Sequence, residues 1–395
     1  MITTINNEHK KLNAPNLRFP EFQGEWEKCT LEDVMNFSTT RVNSSELNED
    51  NYVSTENMLQ DYQGIVDAKS VPEDVNVISF SCGDILISNI RPYLKKVWKA
   101  TYNGGCSSDV FVLKANDNIE SDYLHYVIAN DKFINFVMSG AKGVKMPRGD
   151  KKQMKTYCLS LPQIQEQNKI GKMLSLLDER IATQNKIIED LKKLKSAIIE
   201  KHYCKVEKQI ACVGDLGEPF SVGNLAKDDL TETGIPCVIY GELFTTYGET
   251  ISQIESHTYK TEGIILSKKG DLLFPSSTTV DAMSLIAPSV INMDGVILGG
   301  DMFGIHISPN FNAQYLSYYF NHIAKRQLAK FAKGSTIIHL HYADIEKAKL
   351  LLPSLEEQNR MAKCLVTLDD KIKKERTFFD LLNSQKAYLL CHMFI

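Results

Sequence analysis

The stretch STIIHLH ends in two histidines, His339 and His341, that flank a single leucine, and such a pair raises the question of a metal ion. No cysteine or carboxylate stands at ligand spacing beside them, so no metal centre is expected; they read as histidines of a loop near nucleic acid or of a strand. Ser276, Ser277, Thr278 and Thr279 form a hydroxyl-rich loop after GDLLFP. A nucleophile there has no visible base, whereas hydroxyls and backbone groups of such loops contact phosphates. Cys204 and Cys212 straddle a linker and read as ordinary free thiols. The chain holds no Asn-Pro-Pro-aromatic or Asp-Pro-Pro-Tyr stretch to grip an exocyclic amine, no GxGxxG opening a helix, and no GxxxxGK[ST] to cradle phosphates. No catalytic residue is assigned, and the expectation is a chain that recognises rather than transforms.

What it would recognise is written in the placement of charge. The 45 Lys and Arg against 49 Asp and Glu give a net charge of −4, which argues against a uniformly basic nucleic-acid binder. Locally the balance differs. Three windows lack carboxylates: one between Asp84 and Asp109, one from Lys132 to Gly149, and one from Met302 to Ala343. The candidate DNA contacts come from them and from the hydroxyl loop. In the first half they are Arg91, Lys95, Lys96, Lys142, Lys145 and Arg148. In the second half they are Thr278, Thr279, Lys325, Lys330, Lys333, His339 and His341. If several lysines touch phosphate, affinity falls steeply with salt.

The elements that position these residues are doubled. Residues 161–203 align with 352–394 without a gap at an offset of 191 residues, with twelve identities that include Glu166/Glu357, Gln167/Gln358, Asn168/Asn359 and Asp178/Asp369. Upstream at the same offset, AKG at 141–143 meets AKG at 332–334, and with small shifts GDILIS at 83–88 meets GDLLFP at 270–275. Two copies are too few for a solenoid, so the chain reads as a duplicated domain. Short β-branched runs such as VNVISF, GDILIS, DVFVLK, GIILS and DGVILGG read as strands, followed in each half by one helical segment, YLHYVIANDKFINFVMSG and YLSYYFNHIAKRQLAKFAKG. The fold class is therefore α+β.

The repeated segments themselves carry a heptad seam. Its apolar positions are Ile170, Leu174, Leu177, Ile181, Ile188, Leu191 and Ile198 in the first copy. In the second they are Met361, Leu365, Leu368, Ile372, Phe379, Leu382 and Leu389, with Ser354 and Glu357 in capping-box spacing at the start. Each helix of about 40 residues would leave its seam in water unless it pairs with the other. A pseudo-two-fold axis makes the pair antiparallel, and one register sets Lys195 opposite Glu375 and Gln184 opposite Lys386. The domain plan is 1–160 and 206–351 for two mixed α/β heads, 161–205 for a central helix and 352–395 for a C-terminal helix. Two heads on a rod would touch sites about one turn of duplex apart.

These residues also carry a resemblance. PNLRFPEFQGEWEKCTLEDV at 15–34, the two GDxL stretches, and above all LPQIQEQNKI and LPSLEEQNRM leading into heptad helices resemble the specificity subunits of type I restriction–modification systems, over nearly the whole chain. The resemblance implies two target-recognition domains separated by two conserved antiparallel helices, binding a bipartite, asymmetric site in double-stranded DNA. It implies further that the helices dock two adenine-N6 methyltransferase subunits, that restriction subunits join, and that S-adenosylmethionine, ATP and Mg2+ belong to those partners. The second head begins KQIACVGDLGEPFSVGN and lacks the RFPEF-type leader. A stand-alone nuclease and a coiled-coil protein scaffold are the alternatives. Nine scattered cysteines and an N-terminus, MITTINNEHKK, without an apolar run suggest the cytoplasm and no membrane.

Overall fold

The computed structural model describes residues 13–143 and 145–395; the opening MITTINNEHKK lies outside them. The chain divides into two compact units, residues 1–185 with 377–395, and residues 186–376.

In the first unit the β-branched runs form strands as expected. One antiparallel sheet has the order Met35–Phe37, Val110–Ala115, Ile85–Ser88, Val97–Lys99. Ile85–Ser88 is buried along its whole length because it is paired on both edges and covered on both faces. A second sheet runs Arg41–Asn43, Asn76–Phe80, Gly104–Cys106, Tyr52–Val53, its last pair parallel. The main core gathers Leu31, Ile85, Leu113, Tyr123, Leu124 and Phe133. Met393 and Phe394 from the C-terminal segment belong to the same core, and the Phe394 ring stacks on Tyr123 at 5.2 Å between centroids.

The second unit repeats the plan with longer sheets. Its first sheet is Gly217–Ser221, Met302–Ile307, Asp271–Pro275, Ser289–Ile291, Thr250–Ile251, and its second is Leu230–Thr231, Ser256–Thr258, Ile235–Ile239, Ile297–Gly299, Ile265–Leu266. Asp271–Pro275 takes the fully buried central place that Ile85–Ser88 has in the first unit. Tyr203 packs on Tyr319 at 5.7 Å, at the position equivalent to Phe394.

The expected single helical segment after the strands is two helices in each unit. In the first, Ser121–Ile128 ends and Asp131–Ser139 begins with Asn130 as its cap, the Asn130 side chain accepting from the Lys132 N–H. In the second, Ala313–His322 gives way to Lys325–Leu328 and a short 3-10 turn.

The repeated segments are the long helices Ile164–Lys205 and Leu355–His392. Within the first unit, Asp178 pairs with Lys386 at 2.6 Å and Arg180 lies over the Phe378 ring, so the two helical pieces there run in opposite directions. Within the second, Lys195 pairs with Asp369 at 2.7 Å and His202 with Glu357 at 3.1 Å, again antiparallel. None of the fourteen seam residues is exposed. The expected register is not the one formed. Lys195 meets Asp369 rather than Glu375, and Lys386 meets Asp178 rather than a partner at 184. These two ion pairs are the same pair in the two copies, since Asp178/Asp369 and Lys195/Lys386 are equivalent residues of the repeat. Each lysine also sits over a tyrosine of its own head, Lys195 over Tyr318 and Lys386 over Tyr126, and each tyrosine hydroxyl donates to the same aspartate, Tyr318 to Asp369 and Tyr126 to Asp178.

The EQN motif explains how a head is held on its helix. Gln167 Oε1 accepts from the Glu120 N–H at 2.9 Å while its Nε2 donates to the Pro162 and Asn118 carbonyls. Gln358 does the same in the second unit, accepting from the Asn312 N–H at 2.9 Å and donating to the Pro353 carbonyl. Both glutamines are buried. Glu166 is buried under a two-pronged contact from Arg18, whose Nε and Nη2 donate at 2.7 and 2.8 Å. Glu357 does not close the expected capping box: Ser354 Oγ accepts from the Glu357 N–H at 3.4 Å, but the Glu357 carboxylate is turned to His202 and Arg360, whose hydrogen bonds hold it below the usual carboxylate range. Replacing either glutamine by leucine leaves a half-buried N–H at the start of a head helix without its acceptor, and a loss of about 1.5 kcal/mol is expected by urea denaturation.

Candidate nucleic-acid interface

The basic windows converge through a hairpin that both units build in the same way. In the first unit Lys142 and Arg148 exchange backbone N–H to carbonyl hydrogen bonds at 3.2 and 3.0 Å. Residues 147–149 dock on the end of the buried strand Ile85–Ser88: Arg91 N–H donates to the Pro147 carbonyl at 2.8 Å and Gly149 N–H to the Asn89 carbonyl at 3.0 Å. In the second unit Lys333 and His339 exchange the same pair at 2.9 and 2.7 Å. Ser277–Thr278 pairs with Ile338–His339, and Leu340 N–H donates to Ser276 at 2.9 Å. The repeated AKG has a physical reason here, because Gly143 and Gly334 both take positive φ, 96° and 118°. A Cβ on Gly334 would lie 2.0 Å from the Ile337 carbonyl oxygen.

This arrangement makes Arg91 the counterpart of Thr278, and Lys142, Lys145 and Arg148 the counterparts of Lys333, Thr336 and His339. Residues far apart in sequence thus share one surface. Arg91, Lys142, Lys145 and Arg148 are all exposed. Lys142 pairs with Asp150 at 3.3 Å and Arg148 with Asp109 at 2.9 Å, contacts at the surface that contribute little and leave the cations available to a ligand. Arg91 holds a left-handed backbone, φ 49° and ψ 63°, before the turn Pro92–Leu94, and Lys95 closes that turn with φ 53°. Such backbone costs a non-glycine residue about 1 kcal/mol and is held here by the Pro147 hydrogen bond.

Two lysines of the same window do other work. Lys95 pairs with Asp131 at 2.9 Å and lies over the Tyr62 ring, and Lys96 Nζ donates to the Thr55 carbonyl at 2.6 Å. Burial pushes the Lys96 ammonium below its ordinary range. Both are half-buried braces of the loop Arg91 leads into.

In the second unit Thr278, Thr279, Lys325 and His339 line one cleft of about 850 Å3. Sequence reasoning missed its apolar rim: Val280 is 73% exposed and Ile337 50%, with Tyr240 and Phe244 nearby. The signal was available in the AKG match, which places Ile337 in the hairpin. His341 caps a short helix and stacks on His339 at 6.1 Å between centroids, Lys333 pairs with Asp344 at 2.5 Å, and Lys330 is exposed on the 3-10 turn. The Lys333 hydrogen bond holds the Asp344 carboxyl below its usual range.

Behind this surface lies a buried network. Glu249 accepts from His322 at 2.8 Å and pairs with Lys195 at 2.9 Å. Burial pushes the Glu249 carboxyl up, but these two partners outweigh it and hold it at about 2.

Two chain segments, residues 23–193 and 205–377, match the family model of the type I restriction modification DNA specificity domain. The chain belongs to that family. It is 27% identical over 300 residues to the type I restriction enzyme MjaVIII specificity subunit of Methanocaldococcus jannaschii, covering 69% of each chain. It is 24% identical over 323 residues to the putative MjaX specificity subunit of the same organism, covering 77% of this chain and 76% of that one. The crystal structure of a type I restriction–modification S subunit from M. genitalium has the same fold, with a TM-score of 0.65 at 14% identity over 97% of this chain and 99% of that one. Among the described residues no helix is long and apolar enough to cross a membrane.

Proposed function

We propose that this chain is the DNA-reading subunit of a type I restriction–modification complex, non-catalytic and cytoplasmic, and that each head meets duplex DNA through its hairpin and the strand-end loop beneath it. The observation that carries this reading is the recurrence of one hydrogen-bonded hairpin, bearing exposed cations or hydroxyls, at the same place in both units. Because the two hairpins differ in every side chain but the Ala-Lys-Gly turn, the two halves of the target differ, and the site is bipartite and asymmetric. The long helices dock two adenine-N6 methyltransferase subunits, restriction subunits join these, and S-adenosylmethionine, ATP and Mg2+ are the partners' cofactors. Lys142 and Lys145, both exposed, serve as phosphate contacts.

Binding of a labelled mixed-sequence duplex across a salt series tests this. The double variant Lys142→Gln/Lys145→Gln should reduce the slope of log affinity against log salt by about two. A duplex affinity that does not change with salt in the unaltered chain would overturn the reading, as would cleavage of DNA by the chain alone.

A further inference from the structure

We infer that the two heads read opposite base chemistry through the same hairpin site: Arg91 of the first unit takes a guanine, and Val280 and Ile337 of the second take the methyl group of a thymine. The inference rests on the DNA-reading role proposed above and deepens it.

The structural equivalence comes first. Hydrogen bonds from Arg91 to Pro147 and from Gly149 to Asn89 in one unit are matched by the pairing of Thr278 with Ile338 and the bond from Leu340 to Ser276 in the other. The same backbone frame therefore presents different side chains. In the first unit the frame carries Arg91 with no ion pair to a carboxylate among the described residues, whereas Lys95 pairs with Asp131, Lys142 with Asp150 and Arg148 with Asp109; Lys145 has no carboxylate partner among the described residues either, but it lacks the planar fork of a guanidinium. Arg91 also has its left-handed backbone held by the hairpin, so the direction in which Cβ leaves the chain is set before any ligand arrives. The guanidinium at the end of that side chain has the fork geometry that matches the O6 and N7 acceptors of guanine in the major groove.

In the second unit the positions equivalent to Arg91 and Lys145 hold no cation, while Lys333 keeps that of Lys142. Thr278 replaces Arg91, Thr336 replaces Lys145 and Ile337 replaces Met146. Val280 stands clear of the loop, its N–H held by Thr278 Oγ1 at 3.2 Å, and Ile337 lies on the same cleft. Two apolar side chains this exposed among hydroxyls gain nothing from water. The apolar feature of the major groove is the thymine C5 methyl, and threonine hydroxyls satisfy the adjoining base edges.

The full chain, selected against a randomised duplex library, supplies the probe sequence. The selected motif should contain a G·C position that Arg91→Gln loses, with at least a ten-fold drop in preference there and no change in the other half of the motif. Arg91→Lys, which keeps the charge without the fork, should lose the same preference while binding mixed-sequence DNA as the unaltered chain does. In the other half, replacing the conserved thymine by deoxyuracil should weaken the unaltered chain several-fold and leave Val280→Ser/Ile337→Ser indifferent. Circular dichroism spectra matching the parent's show that each variant is folded. If no motif is enriched, the DNA-reading role itself falls. If a motif is enriched but Arg91→Gln preserves every position, or deoxyuracil binds as well as thymine, this assignment falls and the role stands.

Discussion

Lys195→Met is expected to cost about 3 kcal/mol of stability, the larger part of it in the second unit. Methionine keeps most of the volume of the lysine stem, so the loss is electrostatic. Lys195 is buried and answers two carboxylates at once, Asp369 at 2.7 Å and Glu249 at 2.9 Å, while its ammonium sits over the Tyr318 ring. Removing it leaves two partly enclosed anions, Glu249 keeping His322 and Asp369 keeping the Tyr318 hydroxyl, without the cation they share. Stranding a buried charge costs about 3–5 kcal/mol, and the water that reaches Asp369 places this case at the lower end. The equivalent change in the other copy, Lys386→Met, strands only Asp178 and should cost about 1 kcal/mol, since Lys386 and Asp178 are both more exposed. Both tryptophans, Trp26 and Trp98, lie in the first unit, so their fluorescence reports that unit while far-ultraviolet dichroism reports both. Lys195→Met should lower the dichroism midpoint in urea more than the fluorescence midpoint. Equal softening by the two variants would refute the role given to Glu249.

That same network shows why the helix register was not legible in the sequence. Heptad spacing marks Gln184, Lys195, Glu375 and Lys386 as polar gaps in an apolar seam, and the simplest pairing sets them against one another. The chain instead turns each lysine toward an aspartate of the other helix and a tyrosine of its own head. Glu249 and Tyr318, which decide the geometry around Lys195, are remote from it in sequence, and no periodicity reports them. The strands and the long helices were legible because burial on two faces or along a seam leaves a pattern in hydrophobicity. The break between Ser121–Ile128 and Asp131–Ser139 was not, because Asn130 looks like any polar residue until its side chain is seen capping the second helix.

The candidate interface was legible to a similar degree. Acid-free windows located Arg91, Lys142, Lys145 and Arg148, and backbone pairing brings those four together. The same count included Lys95 and Lys96, whose partners Asp131 and the Thr55 carbonyl reach them through the fold rather than along the chain. Val280 and Ile337 carry no charge to mark them, and exposure of an apolar side chain is not written in a sequence.

Acidification should weaken the first unit before the second, and His125 is the reason. Burial pushes the His125 imidazole down to about 4, and the Lys386 and Lys99 ammonium groups push the same way against Asp178 and Asp122. Its Nδ1 is buried without a hydrogen-bond partner among the described residues. A histidine at its ordinary value near 6.5 in the unfolded chain takes up a proton there while the folded one does not, so between about pH 6.5 and 4 the unfolded state binds more protons and stability falls as pH falls. The full separation corresponds to about 3 kcal/mol; the ring keeps some contact with water, and about 2 kcal/mol is expected. Glu249 works in the other unit and in a lower window. Its carboxyl is held at about 2 against an ordinary value near 4.5, so the stability it contributes is complete above 4.5 and is lost as pH falls from there toward 2. Tryptophan fluorescence in urea at pH 7.5 and 5 should therefore show the first unit losing most of that 2 kcal/mol before Glu249 begins to titrate. In His125→Leu, which also removes the orphaned nitrogen, the acid loss should vanish while stability at pH 7.5 holds or rises. A variant as acid-sensitive as the parent would place the acid response on other groups, with Asp178 and Asp122, the carboxylates facing His125, next to be replaced.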